Sequence, residues 1–124
     1  MKINYYEIKH LSDIYLEDSY VININESNGA LTFFLEFVLT EKNTKYIPPK
    51  EGEAYCYKKG QLIFRDLNEI KWLEKNLQAF SSINDAIDYG NIDTFFQEDG
   101  VFYLSGDWGD VQIIGGSVDL MISE

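Results

Sequence analysis

The chain offers one histidine, His10, and one cysteine, Cys56, as candidates for nucleophilic catalysis or zinc binding. A Ser-His-Asp or Cys-His arrangement would have to use His10, which stands between Lys9 and Leu11, and the chain contains no Gly-x-Ser-x-Gly motif. A zinc site of the usual kind needs three or four cysteine and histidine ligands. Cys56 lies between two tyrosines on a predicted strand, which is typical of a small buried side chain. We therefore expect no catalytic residue, no metal site and no cofactor, and we expect that the protein is not an enzyme.

Acidic and glycine-rich turns give no further sign of a reaction. The segments 98–100 and 107–110 are too short for a calcium-binding EF-hand loop. Gly115-Gly116 joins two predicted strands and no basic residue follows it, so it does not match a phosphate-binding loop. Since 21 acids always supply some pair at glycosidase-like spacing, paired carboxylates are uninformative here.

Charge is distributed unevenly along the chain. The 124 residues carry ten Lys and Arg against 21 Asp and Glu, for a net charge of −11. Residues 1–75 hold all ten basic residues and twelve acids, a net −2, whereas residues 76–124 hold nine acids and no Lys or Arg. A field of this sign repels phosphate backbones and anionic lipids, so we expect no direct binding of nucleic acid and no membrane binding. A surface of one sign is tolerated more readily where it steers a cationic partner, although a solubilising face is the alternative.

We expect a partner-binding surface in this acidic half. Its predicted residues are seven acids and the tryptophan that stands between two of them: Asp85, Asp88, Asp93, Glu98, Asp99, Asp107, Trp108 and Asp110. A tryptophan in an acidic turn is exposed more often than one in a strand, and tryptophan is enriched at interface hot spots. The alternative, in which Trp108 folds back onto the sheet, is about equally favoured.

Alternation of apolar and polar residues with period two predicts mainly strands. The expected strands are 3–9, 19–25, 31–41, 53–59, 61–65, 91–97, 101–106, 110–114 and 117–122. A turn at 26–29 joins the first hairpin, a turn near Gly60 joins a second hairpin, and glycines separate the strands of a C-terminal meander. The strand 31–41 is apolar on both faces and is expected to be central, and 42–53 is expected to be an exposed loop.

Residues 67–79 are expected to form one helix. Apolar residues at spacings of three and four are Leu67, Ile70, Leu73, Leu77 and Phe80. Asp66 could cap this helix, but residues 70–73 could instead be a strand, because Trp and Ile favour strands. The expected fold is therefore α+β: a single domain over 1–124, mainly antiparallel β-sheet, with one packed helix.

A lone cysteine excludes an internal disulfide, and no apolar stretch resembles a signal peptide or a membrane span. We therefore expect a cytoplasmic location. A small, acidic, β-rich domain without a catalytic set resembles the immunity proteins of bacterial contact-dependent growth inhibition and other polymorphic toxin systems. The resemblance is carried by the acidic segment 85–119 and its turns at 98–100 and 106–110.

The resemblance implies a cognate basic toxin domain as partner, commonly a nuclease, with a ribonuclease slightly preferred. The acidic surface would cover the cationic active site of that toxin. Two other classes stay open. One is a small-ligand-binding or enzymatic β-rich domain with an aromatic pocket, and the other is an adaptor that pairs through a sheet edge such as 117–122.

Overall fold

A computed structural model describes residues 1–49, 51–76, 80–81 and 87–123, with the backbone alone described at 80–81 and 87–88. The strands are β1 (Ile3–Asn4), β2 (Ile14–Ser27), β3 (Ala30–Leu39), β4 (Cys56–Arg65), β5 (Glu69–Lys75), β6 (Phe80–Ser81), β7 (Ile87–Asp88), β8 (Ile92–Glu98), β9 (Val101–Gly106), β10 (Gly109–Ile114) and β11 (Ser117–Ile122). The larger sheet has the order β1-β8-β9-β10-β5, the smaller sheet has the order β11-β4-β3-β2, and β6 pairs with β7. All these pairings are antiparallel.

The two sheets pack face to face through aromatic rings. Phe64 of β4 lies 5.7 Å from Phe95 of β8 and 5.2 Å from Phe102 of β9, measured between ring centroids. Phe33 of β3 lies 5.0 Å from Trp108, which follows β9. Each of these five side chains is at most 5% exposed, so the space between the sheets is filled.

The first predicted hairpin is confirmed. Strands β2 and β3 pair antiparallel, and the turn between them contains Gly29 at φ 75°, a left-handed conformation that glycine adopts without steric cost. The apolar segment predicted to be central is β3, which lies between β2 and β4. Its inward residues are buried, and so is Val38 on its opposite face.

The packed helix expected at 67–79 is wrong, and the α+β class is wrong with it. The described residues are nearly all in strands, turns and loops, and they contain no α-helix, only a 3₁₀ turn at Tyr5–Glu7. The alternative interpretation of residues 70–73 as a strand is confirmed by β5, which pairs with β10. Residues 77–79 lie outside the described residues.

Pairing with β10 explains why the helical spacing did not decide the structure of this segment. In β5, Trp72 and Ile70 alternate inward opposite Val111 and Ile113, so strand spacing buries both side chains against the core. The indole of Trp72 also donates a hydrogen bond to Glu26, 2.9 Å away. These contacts come from residues distant in sequence, and they override the local helical pattern.

The second predicted hairpin is also wrong, because β4 runs without a turn through Gly60. A Cβ atom at Gly60 would overlap the backbone carbonyl of Met121 in β11. Glycine is therefore needed here for the close approach of a neighbouring strand and not for a turn. Strands β8, β9 and β10 form the predicted meander, but β11 crosses to the smaller sheet and pairs with β4. The predicted strand 3–9 is reduced to β1 and the 3₁₀ turn.

Candidate functional site

The predicted acids lie at two opposite ends of the larger sheet. Because β8, β9 and β10 run antiparallel, Asp99 in the β8–β9 turn and Asp107 in the β9–β10 turn are separated by the length of β9. Six residues of strand span roughly 20 Å. Asp93 and Asp110 lie at the end that holds Asp107, whereas Glu98 lies beside Asp99. The predicted surface therefore divides into two.

One of these ends gathers acids from four strands and a turn, and we name it the acidic end. Its members are Glu17, Glu74, Asp93, Asp107 and Asp110. Asp110 and Glu74 are direct cross-strand partners, and Asp93 and Glu17 line the same cavity of about 170 Å³. The Asp107 carboxylate lies close against Gly90, which leads directly into the start of β8. Asp110 is half-exposed and the other four acids are exposed, so their carboxylates are available to a partner.

A large bulge in β2 contributes the first of these acids. Tyr15 pairs with Val38 and Tyr20 pairs with Glu36, so the four residues 16–19 of β2 lie opposite a single residue of β3. Bulges of this kind re-aim side chains and bend a strand, and they are frequent beside binding sites. Here the bulge turns β2 from its partner β3 toward β8 of the other sheet.

Two polar side chains satisfy the backbone of this bulge. The N–H of Val38 donates to the Ser19 hydroxyl oxygen at 2.9 Å, and that hydroxyl donates to the Tyr15 carbonyl at 2.6 Å. The side-chain amide of Asn91 donates to the carbonyls of Glu17 and Ser19, at 2.9 and 2.8 Å. The bulge is thus tied to the segment that precedes β8, which holds Glu17 near Asp93.

Tyr5 fixes the side chain of Glu17. Its hydroxyl donates to the Glu17 carboxylate at 2.6 Å and accepts the N–H of Leu16 at 3.2 Å. Burial raises the pKa of Tyr5 well above its usual range, and the hydrogen bond to Glu17 raises it further. The tyrosine therefore stays protonated and acts as a hydrogen-bond donor at the edge of the acidic end.

Of the two positions expected for Trp108, the exposed one is wrong and the alternative, in which the side chain folds back onto the sheet, is confirmed. Its side chain is completely buried, and its indole N–H donates to the carbonyl of Asn91 at 3.0 Å. The ring turns inward because it fills the space between Phe33 and Trp72, and the following Gly109 at φ 144° permits that turn of the backbone. Trp108 anchors the β9–β10 turn that carries Asp107, and it presents no surface to a partner.

The other four predicted acids are not part of the acidic end. Asp85 lies outside the described residues, and Asp88 is the last residue of β7, where the backbone alone is described. Glu98 and Asp99 lie at the opposite end, where the Asp99 carboxylate is 3.9 Å from the N-terminal ammonium.

Sequence reasoning missed Glu17 and Glu74. Both lie in residues 1–75, where the basic residues nearly cancel the acids, so a charge count along the chain hides them. Glu74 also fell within the segment expected to be a helix. The pairing of β5 with β10, which no local pattern reveals, brings it beside Asp110.

Two lysines lie near the acidic end, and each is held over an aromatic ring. The Lys75 ammonium is 5.1 Å from the centroid of Trp72, and the Lys2 ammonium is 4.3 Å from the centroid of Phe96. Five carboxylates against these two ammonium groups leave the surface negative. Such a surface can form charge-assisted hydrogen bonds with arginine and lysine side chains of a partner.

The described residues contain no group of three His, Cys, Asp or Glu side chains placed to hold a metal ion. His10 lies exposed at φ 79°, and the buried Cys56 sulfur accepts the backbone N–H of Ile47 at 3.5 Å. No family model, curated protein or solved structure matches this chain. Across the described residues, no helix is both long and apolar enough to cross a membrane.

Proposed function

We propose that the protein is an immunity protein that binds a cognate basic toxin domain in the cytoplasm of the cell that produces the toxin. The toxin is a nuclease, with a ribonuclease slightly preferred, and the acidic end covers its cationic active site. The observation that carries the proposal is that five carboxylates, from β2, β5, β8, β10 and the β9–β10 turn, lie at the same end of the two packed sheets.

The chemistry of nucleases fits such a surface. A nuclease holds its substrate with lysine and arginine side chains that contact phosphate oxygens. Carboxylates of an inhibitor can accept hydrogen bonds from the same side chains, and at close range these are among the strongest polar contacts in proteins. A net charge of −11 also accelerates encounter with a basic domain, which matters when an incoming toxin must be captured quickly.

The structure favours a binding surface over the alternative of an interior aromatic pocket. The rings that would line such a pocket, including Phe33, Phe64 and Phe102, contact one another between the sheets. The two cavities of about 580 Å³ lie at the surface and not between the sheets. One is lined by loop residues such as Glu41 and Tyr55 and by strand ends, with Tyr15 among them, and the other by turn residues such as Asn28 and by the ends of β2 and β5.

Two variants with equal changes of charge test the proposal. In the acidic-end variant, Asp93, Asp107 and Asp110 are replaced by Asn. In the control variant, Glu69→Gln, Glu98→Gln and Asp99→Asn remove three charges from the opposite end of the same sheet, because Glu69 is paired with Ile114 and Glu98 with Val101. Each variant is mixed with the basic nuclease domains encoded beside the gene. Inhibition of RNA cleavage and the dissociation constant are then measured.

We expect the wild type and the control variant to inhibit one neighbouring toxin at nanomolar concentration. The acidic-end variant loses three charged contacts of about 1 kcal/mol each, so its affinity for the toxin should fall by about 100-fold. The proposal is wrong if no neighbouring toxin binds the wild type, or if both variants lose the same affinity.

A further inference from the structure

The outer face of the smaller sheet carries four tyrosines in a continuous row, which we name the tyrosine strip: Tyr15, Tyr20, Tyr55 and Tyr57. The rings of Tyr20 and Tyr57 are stacked with centroids 6.4 Å apart, and Tyr55 meets Tyr57 edge-on at 6.1 Å. Tyr15 and Tyr55 line the same cavity of about 580 Å³. Tyr15, Tyr20 and Tyr55 are 51%, 38% and 41% exposed. These rings are therefore accessible and lie side by side.

The tyrosine strip lies over a buried valine of β3. Val38 of β3 is the cross-strand partner of both Tyr15 and Tyr57, and it is 1% exposed although its neighbours Phe37 and Leu39 point to the opposite face, into the core. The tyrosines thus cover an apolar residue on the outside of the sandwich. The same bulge that aims Glu17 at β8 leaves Tyr15 and Tyr20 on this outer face, separated along β2 by residues 16–19.

Two carboxylates border the strip, one from β3 and one from β2. Glu36 is the cross-strand partner of Tyr20, and Asp18 lies in the bulge next to Glu17 of the acidic end. Burial raises the pKa of Tyr57, and the neighbouring Tyr20, Tyr55, Asp18 and Glu36 raise it further. The carboxylates of Asp18 and Glu36 therefore lie close enough to act on this ring.

Lysines lie on the β4 side of the strip and at the end of the strip formed by Tyr15 and Tyr55. Lys59 is the cross-strand partner of Glu36, and Lys58 lines a cavity with Glu36 and Glu53. Lys42 lines the cavity that Tyr15 and Tyr55 share, together with Glu41. Strand β2 carries acids and no basic residue, so the β2 side is the negative side of the strip. From there, Asp18 leads directly into the acidic end at Glu17.

Aromatic faces bordered by carboxylates suit one side chain in particular. A guanidinium group stacks on an aromatic ring and donates paired hydrogen bonds to a carboxylate at the same time, whereas an ammonium group is a compact, strongly hydrated charge. We propose that the tyrosine strip binds arginine side chains of the cationic partner, with rings of Tyr20 and Tyr57 as the stacking surface and Asp18 and Glu36 as the acceptors. The inference rests on the proposed function for the source of these arginines.

Peptides of equal charge test this specificity without the toxin. The probes are acetylated, amidated hexapeptides in which glycine alternates with three arginines or with three lysines, and binding to the full chain is followed by chemical-shift changes in nuclear magnetic resonance spectra. The test variant carries Tyr20→Leu and Tyr57→Leu, which keep apolar cover over Val38 but remove the aromatic faces. The control is Tyr103→Leu, whose ring lies on the outer face of the larger sheet against Phe96.

We expect the arginine peptide to bind the wild type and the Tyr103→Leu control about tenfold more tightly than the lysine peptide, and to shift resonances of Tyr20 and Tyr57. The double leucine variant should lose that preference, with its lysine-peptide affinity nearly unchanged. Equal affinity for the two peptides in the wild type overturns the inference, and so does an arginine preference that survives in the double variant. These outcomes do not test the proposed function, which is decided only by whether the protein binds and inhibits a toxin.

Discussion

The pair formed by Asp110 and Glu74 predicts that removing a charge stabilises this protein. The two residues are direct cross-strand partners on the outer face of the larger sheet, where side chains of such partners lie about 5 Å apart. Two like charges at this distance repel by about 0.8 kcal/mol in water. Salt screens this repulsion. In 10 mM salt, where the Debye length is about 30 Å, the repulsion remains about 0.7 kcal/mol, and in 1 M salt, where the Debye length is about 3 Å, it falls to about 0.15 kcal/mol.

Asp110→Asn should therefore raise the free energy of unfolding by about 0.7 kcal/mol in 10 mM salt. For a chain of 124 residues this corresponds to about 3 °C in the melting temperature. Thermal unfolding at the two salt concentrations measures the effect, and in 1 M salt the gain should almost disappear. A double-mutant cycle with Glu74→Gln assigns the repulsion to this pair, because the second substitution should add little once the first is made.

Asp119 serves as the control, because its carboxylate lies beside a positive charge and its removal should not stabilise the protein. The Asp119 carboxylate lies 3.2 Å from the Arg65 guanidinium on the smaller sheet, and both side chains are about half exposed. Asp119→Asn should leave stability unchanged or lower it by up to about 1 kcal/mol. If Asp110→Asn is neutral or destabilising in 10 mM salt, or if its gain persists in 1 M salt, the repulsion inferred for the acidic end is absent. A stabilising variant that binds its partner less well would show that the like charges are retained for binding.

Three other substitutions test the fold that positions the site. Trp108→Phe leaves the carbonyl of Asn91 without its indole donor and should lower the free energy of unfolding by about 1–3 kcal/mol in urea titrations, with partner affinity of the folded protein unchanged. Gly60→Ala places a methyl group against the carbonyl of Met121 and should destabilise the chain by about 1–3 kcal/mol, with loss of amide protection in β11 by hydrogen exchange. Because the pKa of Tyr5 is raised in the folded protein, its contribution to the free energy of unfolding is complete below the usual tyrosine pKa of 10.0 and falls as the pH rises above that value. Tyr5→Phe should flatten that decline in unfolding titrations.

Local signals predicted the parts of the fold that depend on neighbouring residues. Asn28-Gly29 marks a real turn, and the glycines between β8, β9 and β10 bound strands close to the expected limits. Gly60 carries the same local signal, but it lies inside a strand. A side chain is excluded there because β11, which is 57 or more residues away in sequence, passes close to Gly60. A residue type alone does not distinguish a turn from a close approach of two strands.

The candidate site was predictable only in part for the same reason. The charge pattern directed attention to Asp93, Asp107 and Asp110, but their grouping with Glu17 and Glu74 follows from strand register and a bulge. These are long-range features, and so are the contacts that place Trp108 in the core, which decide between its two expected positions.

The rate of association with the toxin tests the central claim most directly. Stopped-flow measurements from 50 to 500 mM salt compare the wild type, the acidic-end variant and the control variant. Because steering depends on the charges nearest the contact, the wild type and the control should associate fast and slow steeply with salt, and the acidic-end variant should be about tenfold slower at 50 mM with a shallower slope. Equal rates for the two variants across this range would contradict the claim that a cationic partner docks on the acidic end.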